Sequence, residues 1–210
     1  MLDLHYRCKS NCDKRVTNDK RMVLETKCKG ISCKTVTSYY WTLYIRQKEE
    51  WVVVRNLERM ASTDLSGPSI VLTGHDPGLK QASLYKMRAQ AFLRDGSSES
   101  EYYEFLTNEP PHRVDGLLQG CSINPYSGEA VITEFNIKCG GYMDANQPLT
   151  YDFSYLAASG EVQFQSGPSE NATVRLPLGN PADNYSVIVK VFVKDSYGAA
   201  TRAATFNIKV

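Results

Sequence analysis

Long apolar runs are missing from this chain of 210 residues. No stretch approaches the roughly 20 consecutive apolar residues that a membrane-spanning helix needs. The first 15 residues are polar and charged, unlike a signal peptide. We therefore expect a segment without a membrane span, excised from a longer protein.

The sequence also has little of what catalysis requires. Its three histidines, His5, His75 and His112, lie in unrelated contexts, and no nucleophile motif accompanies them. Residues 74–78 contain a His-Asp pair, but the Pro and Gly that follow it are typical of a tight turn. Phosphate-binding loops, dinucleotide fingerprints and paired-carboxylate motifs are missing as well. We predict that the chain is not an enzyme and takes no cofactor.

The net charge of +1 is too small for a protein that binds nucleic acid as a polycation. The basic residues are nevertheless concentrated in residues 1–34, which hold nine Lys and Arg against four Asp and Glu. Three of these lysines, Lys27, Lys29 and Lys34, are candidates for contact with a sulfated or sialylated glycan. The alternative is a solvated basic hairpin, which is the commoner role of a charge run.

Six cysteines are present, four in the first half and two in the second, so neither half has an odd thiol. Two sequons accompany them and predict N-glycosylation at Asn171 and Asn184, which we place in polar loops. Disulfides and N-glycans both form in the oxidising secretory pathway. The combination predicts an extracellular protein.

The cysteine spacing suggests how the bridges form. Cys121 and Cys139 bracket the first strands of the second half, and a bridge there would contribute about 3 kcal/mol by restricting the unfolded chain. The other four cysteines permit three connectivities. Two antiparallel strands joined by residues 13–27 favour the nested set, Cys8 with Cys33 and Cys12 with Cys28. A zinc site built from those four thiolates is the alternative.

Carboxylates and amides near the predicted loops of the second half are candidate calcium ligands: Asp144, Asn146, Asp152, Asp183 and Asp195. They do not form a recognised calcium loop, and Asp and Asn more often cap turns. We predict no metal site.

The apolar residues come in short runs rich in Val, Ile, Leu and Tyr, which favours strands over helices. In residues 39–45, Tyr39, Trp41, Leu43 and Ile45 alternate on one face, so Trp41 is predicted to lie in a core. Residues 83–93 form a strand-like run, although residues 80–93 also permit a helix. Further strand-like runs of the first half are Leu4–Cys8, Met22–Cys28, Trp51–Arg55 and Ser69–Thr73.

A boundary is predicted at Pro110-Pro111, because proline fixes φ and removes a ladder donor. The predicted domains are residues 1–109 and 117–210, joined by a Pro-rich linker at 110–116. Beyond it, the alternation in residues 130–139 predicts that one set points inward, namely Val131, Thr133, Phe135, Ile137 and Cys139. Residues 185–193 and 203–210 flank a turn and predict a closing hairpin.

Several segments together resemble a known family. Residues 121–130, 133–139 and 148–153, with Asp144, resemble the receptor-for-egg-jelly (REJ) region of polycystin-1-like proteins. The paired cysteines before Trp41 resemble that family as well. Residues 83–93 resemble fibronectin type III, and residues 185–198 are similar to the end of a polycystic-kidney-disease (PKD) repeat. The family often has Trp where this chain has Tyr142, whose ring can fill a similar pocket.

The resemblance implies an all-β fold of two tandem immunoglobulin-like or fibronectin III-like β-sandwiches. It implies a non-catalytic ectodomain segment of a larger multi-pass receptor on the plasma membrane of a cilium or sperm cell. The implied partners are the rest of that ectodomain, a polycystin-2-type subunit of a calcium-permeable cation channel, and extracellular glycans or proteins. The implied role is ligand binding or a force-bearing spacer, with a purely structural or glycan-binding adhesion module as alternatives.

Overall fold

The computed structural model describes residues 3–13, 15–74, 77–114, 120–157, 159–201 and 204–210. The chain divides into two compact units, Met1–Glu109 (unit 1) and Pro110–Val210 (unit 2). Both units are built almost wholly of strands, which confirms the predicted all-β fold of two sandwiches. Among the residues so described, no helix is long and apolar enough to cross a membrane.

Unit 1 contains two sheets. A three-stranded sheet has the order β1-β3-β6, and a five-stranded sheet has the order β2-β8-β7-β4-β5. Neighbouring strands are antiparallel except for the short parallel contact of β2 with β8. The strands are β1 (Asp3–Ser10), β2 (Arg15–Val16), β3 (Met22–Lys29), β4 (Val36–Gln47), β5 (Glu50–Val53), β6 (Ser69–Leu72), β7 (Leu84–Leu93) and β8 (Ser98–Thr107). A 3₁₀ turn at Ile31–Thr35 and a one-turn helix, α1 (Leu57–Met60), lie in the connections.

Trp41 occupies the core of unit 1, as its alternation in β4 predicted. Its indole N–H donates a hydrogen bond of 2.8 Å to the carbonyl of Gly67, which satisfies the one polar group that burial would otherwise leave unpaired. In β7, Tyr85 and Met87 are buried while Lys86 between them is not. That period of two assigns residues 84–93 to a strand rather than a helix.

Tyr6 connects the two sheets of unit 1. Its ring lies 6.1 Å from that of Trp41 and 5.5 Å from that of Tyr103. Its hydroxyl accepts a hydrogen bond of 2.7 Å from the amide of Ala89 in β7 and donates one of 2.7 Å to the carbonyl of Glu101 in β8. Ala89 and Glu101 face each other in the ladder, so the phenol bridges this rung. Burial raises the pKa of Tyr6, so the hydroxyl keeps its proton.

Unit 2 has a three-stranded sheet of order β10-β11-β15, a four-stranded sheet of order β14-β13-β16-β17 and a two-stranded ladder of β9 and β12. The strands β16 and β17 form the predicted closing hairpin. The strands are β9 (His112–Arg113), β10 (Cys121–Asn124), β11 (Glu134–Cys139), β12 (Tyr142–Met143), β13 (Thr150–Ala157), β14 (Gly160–Gly167), β15 (Asn171–Arg175), β16 (Ser186–Lys194) and β17 (Ala204–Lys209). A 3₁₀ turn at Pro181–Asp183 precedes β16.

The core of unit 2 is mainly aliphatic. Strand β16 buries every second residue, all of them valines, and Phe135 and Phe153 are fully enclosed. The alternation predicted for residues 130–139 holds only in β11. Val131 is 66% exposed and has a φ of 55°, because a turn closed by the 3.0 Å hydrogen bond from the amide of Thr133 to the carbonyl of Glu129 occupies this stretch. The inward orientation predicted for Val131 is therefore wrong.

The predicted linker at residues 110–116 is wrong in part. Pro110 already groups with unit 2, and His112–Arg113 pairs with Tyr142–Met143. Arg113 Nη1 also donates a hydrogen bond of 3.1 Å to the carbonyl of Gly140. The segment is thus held by ladder and side-chain bonds; residues 115 and 116 lie outside the described part of the chain.

Candidate functional site

The disulfides of unit 1 differ from the nested set that the sequence favoured. The structure pairs Cys8 with Cys12 and Cys28 with Cys33. In the β1–β3 ladder, Cys8 faces Leu24 while Cys28 faces Leu4, so these two cysteines lie about 13 Å apart along the hairpin. The two close pairs of cysteines therefore belong to different ends of the hairpin. Cys8 and Cys28 each bond to the next cysteine along the chain, not to a cysteine of the other pair. The nested pairing is wrong, and every cysteine sulfur is already bonded, which leaves no thiolate for zinc.

The third disulfide joins Cys121 to Cys139, the pair that the sequence favoured. The two residues face each other across β10 and β11, with 4.0 Å between their Cα atoms. Nearby, Tyr142 packs edge-on against Tyr151 at 6.4 Å between ring centroids. Burial, and then the charge of Glu170, raise the pKa of Tyr151 to about 12, so its hydroxyl stays protonated and donates to the Glu170 carboxylate at 3.2 Å. This end of unit 2 is a packed structural cluster.

The three lysines predicted to contact glycans lie around one disulfide-closed turn. Lys27 and Lys29 are exposed on β3, and Lys34 is exposed in the 3₁₀ turn Ile31–Thr35. The Cys28–Cys33 bridge closes this segment, and Ile31 at its tip is 92% exposed. In the described residues none of the three lysines forms an ion pair. We call Lys27, Lys29, Ile31 and Lys34 the basic turn.

Both sequon asparagines are exposed. Asn184 follows the 3₁₀ turn Pro181–Asp183 and has left-handed backbone angles, φ 53° and ψ 40°. Asn171 is the first residue of the edge strand β15 and faces Lys138 of β11. The loop position predicted for Asn171 is therefore wrong, because pairing with β11 extends the strand to include it.

The candidate calcium ligands serve local structure. One Asp195 carboxylate oxygen accepts hydrogen bonds from the amides of Tyr197 (3.0 Å) and Ala199 (2.8 Å). Asp144 accepts one of 2.6 Å from the amide of Asn146. Burial acts to raise the pKa of Asp152, but hydrogen bonds from Lys194 and Ser166 outweigh it and hold that pKa below its usual value. Asp183 lies in a 3₁₀ turn. Across the described ranges, no group of three or more His, Cys, Asp or Glu residues could hold a metal.

The histidines also lie far apart in the sequence, and the two that the structure describes belong to different units. His5 lies on β1, with its Nε2 2.8 Å from a carboxylate oxygen of Asp3, and both side chains are about half exposed. His112 lies in β9 of the other unit. His75 and Asp76, the predicted turn pair, fall outside the described residues.

The structure adds a surface that the sequence did not indicate, on the outer face of the five-stranded sheet. Aromatic and cationic side chains from four neighbouring strands share this face. Tyr40 and Tyr102 are 52% and 51% exposed. We call it the aromatic face: Tyr40, Thr42, Tyr44 and Arg46 of β4, Trp51 and Val53 of β5, Lys86 and Arg88 of β7, and Tyr102 and Glu104 of β8.

Each of the three cations of the aromatic face contacts another side chain of that face. Lys86 Nζ lies 4.1 Å from the centre of the Trp51 ring and 2.9 Å from a carboxylate oxygen of Glu104. The guanidinium of Arg46 lies 5.4 Å from the same Trp51 ring. Arg88 donates a hydrogen bond of 3.2 Å to the hydroxyl of Thr42. Rings and cations therefore stabilise one another across the strands.

A shallow groove of about 1000 Å³ lies in unit 2 beside Asn184. Its walls are mainly apolar and include Leu156, Leu178, Pro181 and Val187. Such a groove offers mainly apolar contact area.

Comparison with known proteins identifies related sequences. A sequence model of the REJ domain family matches residues 1–210. The human "Polycystin family receptor for egg jelly" is 25% identical over 220 residues, covering 93% of this chain and 9% of that protein. The mouse protein of the same name is 24% identical over 209 residues, covering 92% and 9%. Mouse "Polycystin-1-like protein 1" is 21% identical over 150 residues, covering 71% and 5%. The chain thus spans less than a tenth of these relatives.

Solved structures give weaker likenesses. The crystal structure of chicken CNTN1 FN1-FN3 domains aligns with a TM-score of 0.42 at 13% identity, covering 92% of this chain and 64% of that one. The crystal structure of murine CEACAM1b aligns with a TM-score of 0.37 at 7% identity, covering 98% of each chain. Likeness at this level supports no inference about function.

Proposed function

Because this chain belongs to the REJ domain family, we propose that it acts as a non-catalytic extracellular segment of a polycystin-1-like membrane receptor. The family match over residues 1–210 is the observation that carries the proposal. Since the chain spans 9% of its human relative, its first partner is the rest of the same receptor. Through that receptor it acts with a polycystin-2-type channel subunit in ciliary or sperm signalling.

Three disulfides and two exposed sequons support the extracellular side of the membrane. An epitope tag placed in this segment of the full receptor tests it. Antibody should label intact, unpermeabilised cells, and endoglycosidase should shift the mass of peptides containing Asn171 or Asn184. Labelling that needs permeabilised cells would contradict the proposal.

The mechanical part of the proposal is that the two sandwiches act as force-bearing spacers. Pulling on the 210-residue chain in a force spectrometer should give two discrete unfolding steps. At about 3.5 Å per residue these are about 35 nm for unit 1 and about 29 nm for unit 2, since the disulfides withhold the loops that they close. The Cys121→Ser/Cys139→Ser variant should lengthen only the shorter step, by about 6 nm. Gradual extension without steps would refute a spacer role.

The ligand-binding part of the proposal concerns the basic turn. The disulfide restricts the backbone that carries these three exposed lysines, so less backbone freedom is lost on binding, which supports contact with a polysulfated glycan. Binding of the chain to a heparin oligosaccharide at about 0.15 M salt should be lost in the Lys27→Glu/Lys29→Glu/Lys34→Glu variant.

A matched control has the same charge change at exposed lysines elsewhere, Lys48→Glu/Lys80→Glu/Lys138→Glu. That control should retain heparin binding. Equal loss in both variants would show that only net charge matters. No binding by the unmodified chain would favour a passive spacer or a purely structural module.

A further inference from the structure

The aromatic face carries more positive charge than it neutralises internally. It holds Arg46, Lys86 and Arg88 against the single carboxylate of Glu104, which pairs with Lys86 at 2.9 Å. Among the described residues neither arginine has a carboxylate partner. The face is therefore complementary to a ligand with negative charge.

Arg88 is the group best placed to receive that charge. It stands at the middle of the sheet, with Thr42 facing it from β4 and Tyr102 from β8. Its one hydrogen bond goes to the Thr42 hydroxyl, and its Nε is buried without an acceptor in the described residues. A guanidinium has five N–H donors in a planar fork that matches a carboxylate. Among the residues that the structure describes, most of the donors of Arg88 have no acceptor.

Aromatic rings surround this arginine. Tyr102 lies directly across from Arg88, and Tyr40 and Tyr44 lie diagonally, two residues either side of Thr42 on β4. Side chains on a sheet stand roughly perpendicular to it, so the three rings and the guanidinium neighbour one another on the same face. Ring faces and phenol hydroxyls suit the mixed C–H and hydroxyl surface of a sugar.

The size and charge of the face define the ligand more closely. Four strands at about 4.8 Å spacing and seven residues of β4 give an area of roughly 300 Å². A stable protein partner needs about 800 Å² on each side. Glu104 on the same face would also repel a ligand with many negative charges. Both facts favour a short ligand with one carboxylate.

We propose that the aromatic face binds a terminal sugar acid, a sialic acid or a uronic acid. The sugar carboxylate lies on the Arg88 guanidinium and the ring or its side groups lie against Tyr40, Tyr44 and Tyr102. This inference rests on the proposed function, because such sugars are displayed outside the cell. It concerns a site distinct from the basic turn, which is formed by the other sheet and its connecting turn.

The test uses NMR titration of the disulfide-bonded 210-residue chain. The probes are 3′-sialyllactose, a hyaluronan tetrasaccharide for the uronic acid, and lactose as the neutral match. The chain has two tryptophans, so Trp51 reports on the face while Trp41, buried in the core, is the internal reference. One of the acidic sugars should move the Trp51 indole signal with a dissociation constant on the order of 1 mM, and lactose should not.

Arg88→Lys should weaken binding by about tenfold, because it keeps the charge but removes the fork. Tyr40→Ser/Tyr102→Ser changes only half-exposed rings and gives an independent loss if Arg88→Lys disturbs folding. Lys27→Glu/Lys29→Glu/Lys34→Glu should bind the acidic sugar unchanged.

Three results would overturn the inference. They are an equal response to lactose, no response of Trp51 to either acidic sugar, or binding of the acidic sugar that Arg88→Lys and Tyr40→Ser/Tyr102→Ser both leave unchanged. None of these results would alter the unfolding steps or surface labelling that test the proposed function.

Discussion

Unit 1 and unit 2 share a sandwich architecture but hold it together differently. In unit 1 the two disulfides close short turns, with sequence separations of 4 and 5, and the sheets are joined by Tyr6 and its ring contacts. In unit 2 one disulfide of separation 18 joins adjacent strands, and a row of valines fills the core. In both units the disulfides stay within one sheet and its turns.

The difference shows which contacts set cohesion between sheets. A bridge within one sheet restricts the unfolded chain but does not hold one sheet against the other. In unit 1 that cohesion includes, beside apolar burial, the buried polar bridge of Tyr6, which fails sharply when one partner is lost. In unit 2 it depends on apolar burial, which is lost in proportion to the area removed.

The largest expected effect is a loss of stability of unit 1 when its core is emptied. Trp41→Ala should lower the unfolding free energy of unit 1 by about 3–5 kcal/mol, because it empties the largest buried side-chain volume. Urea unfolding followed by unit-specific NMR signals measures it. Tyr40→Ala, one residue away on the outer face, is the control and should cost less than about 1 kcal/mol. Similar losses in the two variants would place the core elsewhere.

Removing one disulfide from each unit tests whether loop length sets the stability that each bridge contributes. Cys121→Ser/Cys139→Ser should destabilise unit 2 by about 3 kcal/mol, whereas Cys28→Ser/Cys33→Ser should cost unit 1 about 2 kcal/mol, because its loop is shorter. Chemical denaturation of each variant gives both values. The reverse order would mean that native contacts, rather than loop length, decide what each bridge contributes.

Tyr6→Phe tests the polar bridge itself. It should destabilise unit 1 by about 1–3 kcal/mol, because the amide of Ala89 and the carbonyl of Glu101 lose their partner in a buried setting. Hydrogen exchange at the Ala89 amide should accelerate. Tyr102→Phe removes a hydroxyl from an exposed ring and should change neither quantity. An unchanged Ala89 exchange rate in Tyr6→Phe would show that the ladder closes without the phenol.

The smallest expected effect is a change in the stability of unit 2 at acidic pH. The pKa of Asp152 lies below its usual value in the folded chain, so this carboxylate stabilises unit 2 above pH 4 and the contribution disappears as pH falls through the folded pKa. Asp152→Asn should remove less than about 1 kcal/mol at pH 7 and flatten the decline of stability between pH 5 and pH 2. Melting temperatures across that range measure it. A steeper decline in the variant would reverse the assigned sign.

Alternation of apolar residues predicted the strands that bury one face, such as β4, β7 and β16. It missed β8 and β14, whose exposed faces carry Ser, Glu and Gln, because such strands are held by backbone pairing that leaves no apolar pattern. Strand register explains why other predictions were wrong. The cysteine pairing depended on which residues face one another in β1 and β3.

The aromatic face could not be predicted from the sequence, because it too depends on strand register. It assembles Trp51, Lys86 and Tyr102, which are tens of residues apart and meet only through cross-strand pairing. No local motif marks them. The basic turn, by contrast, is contiguous, so its lysines could be identified from the sequence alone.

The bridge made by Tyr6 also constrains the order of events during synthesis. Strand β1 leaves the ribosome before the rest of the unit, yet its phenol fits only between Ala89 and Glu101, 83 and 95 residues later. The first strand made is therefore among the last to reach its final place. Until residue 101 has emerged, Tyr6 is an exposed aromatic side chain of the nascent chain.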